Sequence, residues 1–82
     1  MQKPEYKPIN CSYYDELEAI ATLRKRVVVE YYDGDLALKL ENVGITNLFT
    51  KEKEEFVVLT NGLTIRLDRL IQVDGKPVVL SC

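Results

Sequence analysis

Three turn signals that contain glycine divide the chain into short segments, and they limit what it can fold into. Asp33-Gly34 and Asn61-Gly62 are residue pairs typical of two-residue β-hairpin turns. Asp74-Gly75 marks a further turn. The segments between these pairs are rich in β-branched and aromatic residues or alternate apolar with polar residues, as in 36–41, where leucine occupies every second position. We therefore expect antiparallel strands joined mostly by tight turns.

Six segments carry a strand pattern: 27–32, 36–45, 56–60, 63–67, 70–73 and 78–80. Gly44 lies inside the second segment, where a glycine often marks a bulge or a barrel corner. The charged run 51–55 is expected to be a solvated loop. A chain this short cannot build an ordinary two-sheet sandwich, and closing a sheet removes its unpaired edges. The expected fold is therefore mainly β with one N-terminal helix, in which five to six strands form a small bent barrel.

The helix is expected over residues 12–24, with Ser12 as its N-cap and Asp15 three residues later, as in a capping box. At 100° per residue, one face collects apolar side chains, namely Tyr13, Leu17, Ile20, Ala21 and, at its edge, Leu23. Another face collects Tyr14, Asp15, Glu18 and Thr22. Tyr13 is therefore expected to pack in the core, and Tyr14 to be exposed beside carboxylates.

Chain length fits a single domain over residues 1–82, with an extended lead-in over 1–11 and the barrel over 26–80. No apolar run approaches the roughly 20 residues of a membrane span. The polar residues 1–8 contain no apolar signal-peptide region, so the expected location is the cytoplasm. Cys11 and Cys82 are expected to be free thiols, because a disulfide framework usually has more cysteines and an oxidising compartment.

The residue types needed for catalysis are poorly represented. The chain has no histidine, which is the commonest general base, and no C-x-x-C pair for zinc. It also lacks a glycine-rich phosphate-binding motif. Carboxylate pairs are present, but a filled barrel of this size leaves little room for a substrate cleft. We expect a binding protein and no enzyme, with neither cofactor nor metal. The net charge of −2, with lysines and arginines scattered among acids, argues against nucleic acid as the direct ligand.

The helix carboxylates Asp15, Glu16 and Glu18 allow two interpretations. Acidic residues near a helix N-terminus interact favourably with the helix dipole, which by itself would account for them. Alternatively, Tyr14 is a rigid amphipathic anchor of the kind enriched at interfaces, and the carboxylates beside it could pair with arginine or lysine of a partner. The two interpretations are compatible.

Residues 6–18 read Y-x-P-I-N-C-x-x-Y-D-x-L-E, and this segment resembles the opening of the Rho-binding antiterminator family, the Rof or YaeO proteins. The segment 65–70, I-R-L-D-R-L, resembles a second block of that family. The Asp33-Gly34 turn falls in the matching place between the two blocks. The resemblance covers nearly the whole chain.

The resemblance implies an Sm-like barrel with an N-terminal helix. It implies a monomeric protein that binds the hexameric transcription termination factor Rho at its N-terminal RNA-binding region, blocks RNA loading and so causes antitermination. The expected partner-binding residues are Asn10, Tyr14, Asp15, Glu18, Thr22, Asn47 and Lys51. A direct RNA-binding Sm-like protein is the alternative, because fold analogy alone favours it. A structural or assembly module is a third.

Overall fold

The computed structural model describes residues 9–79, which form one α-helix and seven strands. The elements are α1 (Cys11–Leu23), β1 (Val27–Asp33), β2 (Leu36–Val43), β3 (Ile45–Lys51), β4 (Glu54–Leu59), β5 (Thr64–Arg66), a 3₁₀ turn (Leu67–Arg69), β6 (Leu70–Val73) and β7 (Lys76–Pro77). The strands form two antiparallel sheets, ordered β2-β1-β6-β7 and β3-β4-β5. The expected mainly β architecture with one N-terminal helix is confirmed. Residues 1–8 of the expected lead-in lie outside the described residues.

Gly44 is the point at which the chain passes from one sheet to the other. It alone separates β2 from β3, and a Cβ there would meet the Thr60 Cγ2 atom at 3.2 Å and the Lys25 carbonyl at 3.3 Å. The Thr60 amide donates to the Gly44 carbonyl at 2.9 Å, which fixes the bend. The expected bend at Gly44 is therefore confirmed. The hydrogen-bonded strands of residues 9–79 nevertheless form two sheets and no single closed barrel.

The prediction of a solvated loop over residues 51–55 was wrong, because this run forms a tight hairpin. β3 continues to Lys51 and β4 begins at Glu54, so that these two oppositely charged residues pair across the strands. The turn residues Glu52 and Lys53 have φ values of 51° and 65°. Positive φ at both central positions is the geometry of the commonest hairpin turn, although Asn or Gly usually supplies it.

The prediction of a last strand over residues 78–80 was also wrong for the described part. The turn at Asp74-Gly75 is so tight that pairing resumes at once, and Lys76 lies opposite Val73. The final strand is therefore β7, and Val78 lies beyond it. Leu80 lies outside the described residues.

The helix begins earlier than expected, and the prediction that Ser12 is its N-cap was wrong. The Asn10 side-chain oxygen Oδ1 accepts hydrogen bonds from the Ser12 and Tyr13 amides, at 2.9 and 3.3 Å. Ser12 therefore lies in the first turn. The phase of the helix was predicted correctly, because the side chains of Tyr13, Leu17 and Ile20 are buried. No helix in residues 9–79 is long and apolar enough to cross a membrane.

This cap can be tested by two single substitutions. Asn10→Ala is expected to lower the free energy of unfolding by about 1 kcal/mol, because it leaves two helix amides without their acceptor. Ser12→Ala is the control and should change it by less than about 0.5 kcal/mol. Urea denaturation followed by circular dichroism measures both, and a larger cost at Ser12 would contradict the cap.

One core joins the helix to both sheets. Its buried apolar residues are Ile9, Tyr13, Leu17, Ile20, Val27, Val29, Tyr31, Val43, Ile45, Val57, Leu59, Ile65, Leu67, Leu70 and Val73. The Tyr13 hydroxyl donates to the Lys76 carbonyl at 2.8 Å, which ties the helix to β7. The Arg66 side chain is charged and buried. Its guanidinium binds both carboxylate oxygens of Asp68, at 2.6 and 2.9 Å, and Glu54 at 3.6 Å.

The expectation of a free thiol at Cys11 was wrong, because this residue is disulfide-bonded. The described residues contain no free cysteine. The chain has one other cysteine, Cys82, which lies outside the described residues. Val79 lies at the start of the helix, where its carbonyl accepts a hydrogen bond from the Asn10 amide at 2.8 Å. Sequence reasoning could not predict this contact, because the two residues are far apart in the chain.

Candidate functional site

The exposed side of α1 carries the carboxylates of Asp15, Glu16 and Glu18. Because the helix begins at Cys11, its first turn contains no acidic residue, and the whole helix lies within the described part of the chain. The favourable interaction of an acid with the helix dipole falls off within the first turn. The dipole therefore does not account for these carboxylates. Glu16 forms a surface ion pair with Lys76 at 3.3 Å, whereas Asp15 and Glu18 extend the exposed face.

Tyr14 is half-buried, so the prediction of a fully exposed ring was only partly right. Part of the ring packs against the core, and the rest lies at the surface. Burial raises the pKa of Tyr14 above its ordinary value, and the carboxylates of Glu55 and Glu18 raise it further. The phenol therefore lies close to the Glu18 and Glu55 carboxylates. We define the acidic patch as Tyr14, Asp15, Glu18 and Glu55.

Glu55 is the member of the acidic patch that sequence reasoning missed. It was assigned to a solvated loop, but it lies in β4 opposite Thr50 of β3, and β3 packs beside α1. A signal was present in the sequence. Val57 and Leu59 are buried, and counting back by two along the same strand places Glu55 on their side.

The structure separates the other expected partner-binding residues. Asn10 serves as the helix cap, and Thr22 is exposed near the C-terminal end of α1. Asn47 and Lys51 are exposed on β3. Strand alternation places both on the side of Phe49, which stacks on Phe56 with ring centroids 5.1 Å apart. Leu48, on the opposite side, packs against the core. Of the expected residues, the acidic patch therefore contains only Tyr14, Asp15 and Glu18, and Asn47 and Lys51 belong to a different face.

The acidic patch combines an amphipathic ring with three carboxylates. Carboxylates accept charge-assisted hydrogen bonds from arginine and lysine, and a tyrosine ring can fill an apolar slot. Residues 9–79 contain no group of three or more acidic, cysteine or histidine side chains that could hold a metal ion. The chemistry of the patch is that of a surface for binding cationic groups.

No family model matches the chain, and no curated protein matches it. The likeness to the Rho-binding antiterminator family therefore rests on the sequence, chiefly on residues 6–18 and 65–70. Of these, 6–8 lie outside the described residues. The rest of the first block forms the cap and the first two turns of α1, and the second forms the end of β5, the 3₁₀ turn and the start of β6.

Proposed function

We propose that this protein binds transcription termination factor Rho at its N-terminal RNA-binding region and blocks RNA loading, which causes antitermination. The observation that carries the proposal is the acidic patch around Tyr14, whose carboxylates the helix dipole does not explain. The resemblance of residues 6–18 to the antiterminator family supplies the identity of the partner. The residues of that resemblance include three of the four members of the patch.

Competition for one groove is the proposed mechanism. A groove that binds single-stranded RNA is basic and lined by aromatic residues, because it accepts phosphates and stacked bases. Asp15 and Glu18 would pair with its arginines and lysines, and the exposed edge of Tyr14 would enter an aromatic slot. Binding through exposed charges should weaken with salt, because the Debye length is only about 8 Å at physiological ionic strength.

We also propose that the two sheets are the halves of one strongly bent Sm-like barrel. The continuous course of β2 and β3 through Gly44 supports this, because one ribbon then belongs to both sheets. The helix that precedes β1 is a further point in its favour, because the resemblance implies an N-terminal helix before the barrel.

The proposed location is the cytoplasm, where Rho would be encountered. The disulfide at Cys11 counts against it, since disulfides persist mainly in oxidising compartments. Alkylation of thiols in intact cells, followed by mass measurement of the protein, distinguishes a location in the cytoplasm from one in an oxidising compartment. A cytoplasmic protein is expected to carry alkylated cysteines.

The central experiment mixes the protein with labelled single-stranded pyrimidine RNA, with and without Rho. The proposal predicts that the protein alone leaves the RNA unbound and that it removes RNA from the Rho–RNA complex. A Rho–RNA complex that survives an excess of the protein would contradict the proposal. Tight binding of RNA by the protein alone would favour the alternative of a direct RNA-binding protein.

Substitutions in the acidic patch test the surface itself. Asp15→Ala or Tyr14→Ala is expected to weaken Rho binding by about 2 kcal/mol, the scale of an interface hot spot. Glu41→Ala is the matched control, because it removes one exposed carboxylate from β2, outside the patch, and should leave affinity unchanged. Calorimetric titration measures the affinities. If the variants are folded by circular dichroism and bind as tightly as the control, the helix face is not the site.

A further inference from the structure

A groove with the opposite charge lies at the C-terminal end of α1. It has a volume of about 540 Å³. Gly44 is one of its lining residues, and its polar lining consists of Thr22, Arg24, Arg26, Thr46 and Thr60. We call it the basic groove. Among the described residues that line it, none carries a carboxylate.

Neither arginine in the basic groove is neutralised by an acid that the structure describes. The guanidinium of Arg24 forms no ion pair or hydrogen bond within residues 9–79. Arg26 Nη1 donates to the Asn42 carbonyl at 3.3 Å and the Thr60 hydroxyl at 3.4 Å, and both acceptors are uncharged. Lys25, between them, lines a different pocket and pairs with Asp74 at 3.2 Å. The groove therefore concentrates positive charge on a chain whose net charge is −2.

Arg24 keeps this position at a conformational cost. It is the C-cap of α1, with φ of 55° and ψ of 38°, in the left-handed region. Glycine is the usual residue for such a conformation at a helix end, because any Cβ is strained there. The Arg24 amide donates a hydrogen bond to the Ala21 carbonyl, and the Lys25 amide donates one to the Ile20 carbonyl. These two carbonyls therefore already have hydrogen-bond donors when an anion approaches.

We propose that the basic groove binds a phosphate group, supplied either by a free phosphate compound or by an RNA backbone. The planar guanidinium fork matches the oxygen geometry of phosphate, and two such groups face one groove. The Thr60 Oγ1 atom accepts hydrogen bonds from the Gly44 amide, at 3.1 Å, and from Arg26. The Thr60 hydroxyl can therefore still donate its own proton to a phosphate oxygen. The lining contains no aromatic ring for stacking a base, so the phosphate is the recognised part.

The test is a titration of isotopically labelled protein with inorganic phosphate, with pyrophosphate and with a single-stranded RNA oligonucleotide, each followed by amide chemical shifts. Shifts are expected at Gly44, Thr46 and Thr60. Arg24→Gly is expected to weaken binding on the order of tenfold, since it removes a charged hydrogen-bond donor. Glycine suits the left-handed backbone at this position, so the variant should remain folded and melt no lower than the original protein.

Lys25→Ala is the matched control, because it removes the same charge one residue away, outside the groove. It should leave the affinity nearly unchanged. Shifts with phosphate or pyrophosphate that Arg24→Gly removes identify a free phosphate source and leave the Rho proposal intact. Shifts with RNA alone that Arg24→Gly removes identify an RNA backbone, and they contradict the expected absence of direct RNA binding. If no probe shifts the groove amides, or if Arg24→Gly binds like the original, the proposal is overturned.

Discussion

Replacing Arg66 with methionine is expected to lower the free energy of unfolding by about 3–5 kcal/mol, the scale for removing one partner of a buried ion pair. The Arg66 side chain is only 8% exposed and that of Asp68 only 7%. Loss of the guanidinium would leave the Asp68 carboxylate buried without its bidentate partner, and Glu54 would lose an ion pair. Urea denaturation of the variant and the original protein measures the difference.

Two further variants isolate the charge effect at Arg66. Adding Asp68→Ala to Arg66→Met should recover part of the loss, because the stranded carboxylate is then removed as well. Arg69→Met is the control, because it removes the same positive charge. Arg69 binds the Gly34 carbonyl and lies 5.7 Å from the centroid of the Tyr32 ring, at the surface, so its loss should cost about 1 kcal/mol. Equal losses at Arg66 and Arg69 would contradict the buried ion pair.

Tyr13→Ala is expected to lower the free energy of unfolding by about 3 kcal/mol, since it removes a buried ring that is 6% exposed. The melting temperature should fall on the order of 15 °C, because each kcal/mol shifts it by about 4–8 °C in a domain of this size. Tyr13→Phe should cost only about 1 kcal/mol, the value of the hydrogen bond to the Lys76 carbonyl. A melting temperature unchanged in Tyr13→Ala would show that the ring is not packed.

The same side chain predicts a loss of stability in alkali. Burial raises the pKa of Tyr13 from 10.0 to about 12, and the Glu16 carboxylate acts in the same direction. Because the pKa is higher in the folded state, the unfolded chain ionises first as pH rises. The stability that the protonated Tyr13 hydroxyl contributes to the folded state is therefore complete below about pH 10, and it is lost between pH 10 and 12. The fall over this range should be smaller in Tyr13→Phe than in the original protein.

Local signals account for the parts of the fold that the sequence predicts well. Asn61-Gly62 lies in the turn between β4 and β5, as expected, with φ of 88° at the glycine and a hydrogen bond from the Leu63 amide to the Asn61 side chain at 3.0 Å. The connection spans residues 60–63 and Asn61 has no positive φ, so it is longer than the expected two-residue turn. The glycine at 44 marks the bend because close approach of two backbones requires it. The helix phase follows from the spacing of apolar residues, which depends on neighbouring residues alone.

Features that depend on contacts distant in sequence escape such reasoning. The choice between Asn10 and Ser12 as the cap depends on where the chain meets Val79, far away in sequence. The turn at Glu52-Lys53 contains neither glycine nor asparagine, so the sequence does not indicate it. Because this turn forms, Glu55 lies in the sheet beside Tyr14. The candidate site was therefore predicted on the helix and missed on β4, where its position depends on strand register.

Side-chain charges of opposite sign are separated along α1, and this separation contributes an electric dipole moment along the helix. Asp15 and Glu18 lie in the middle of the helix, and Arg24 and Arg26 lie just beyond its C-terminal end. This side-chain moment is directed against that of the helix backbone, whose positive pole is at the N-terminus. A charged partner would orient the protein during diffusion, before any contact forms. The association rate constant itself should therefore fall as ionic strength rises, in addition to any change in the lifetime of the complex.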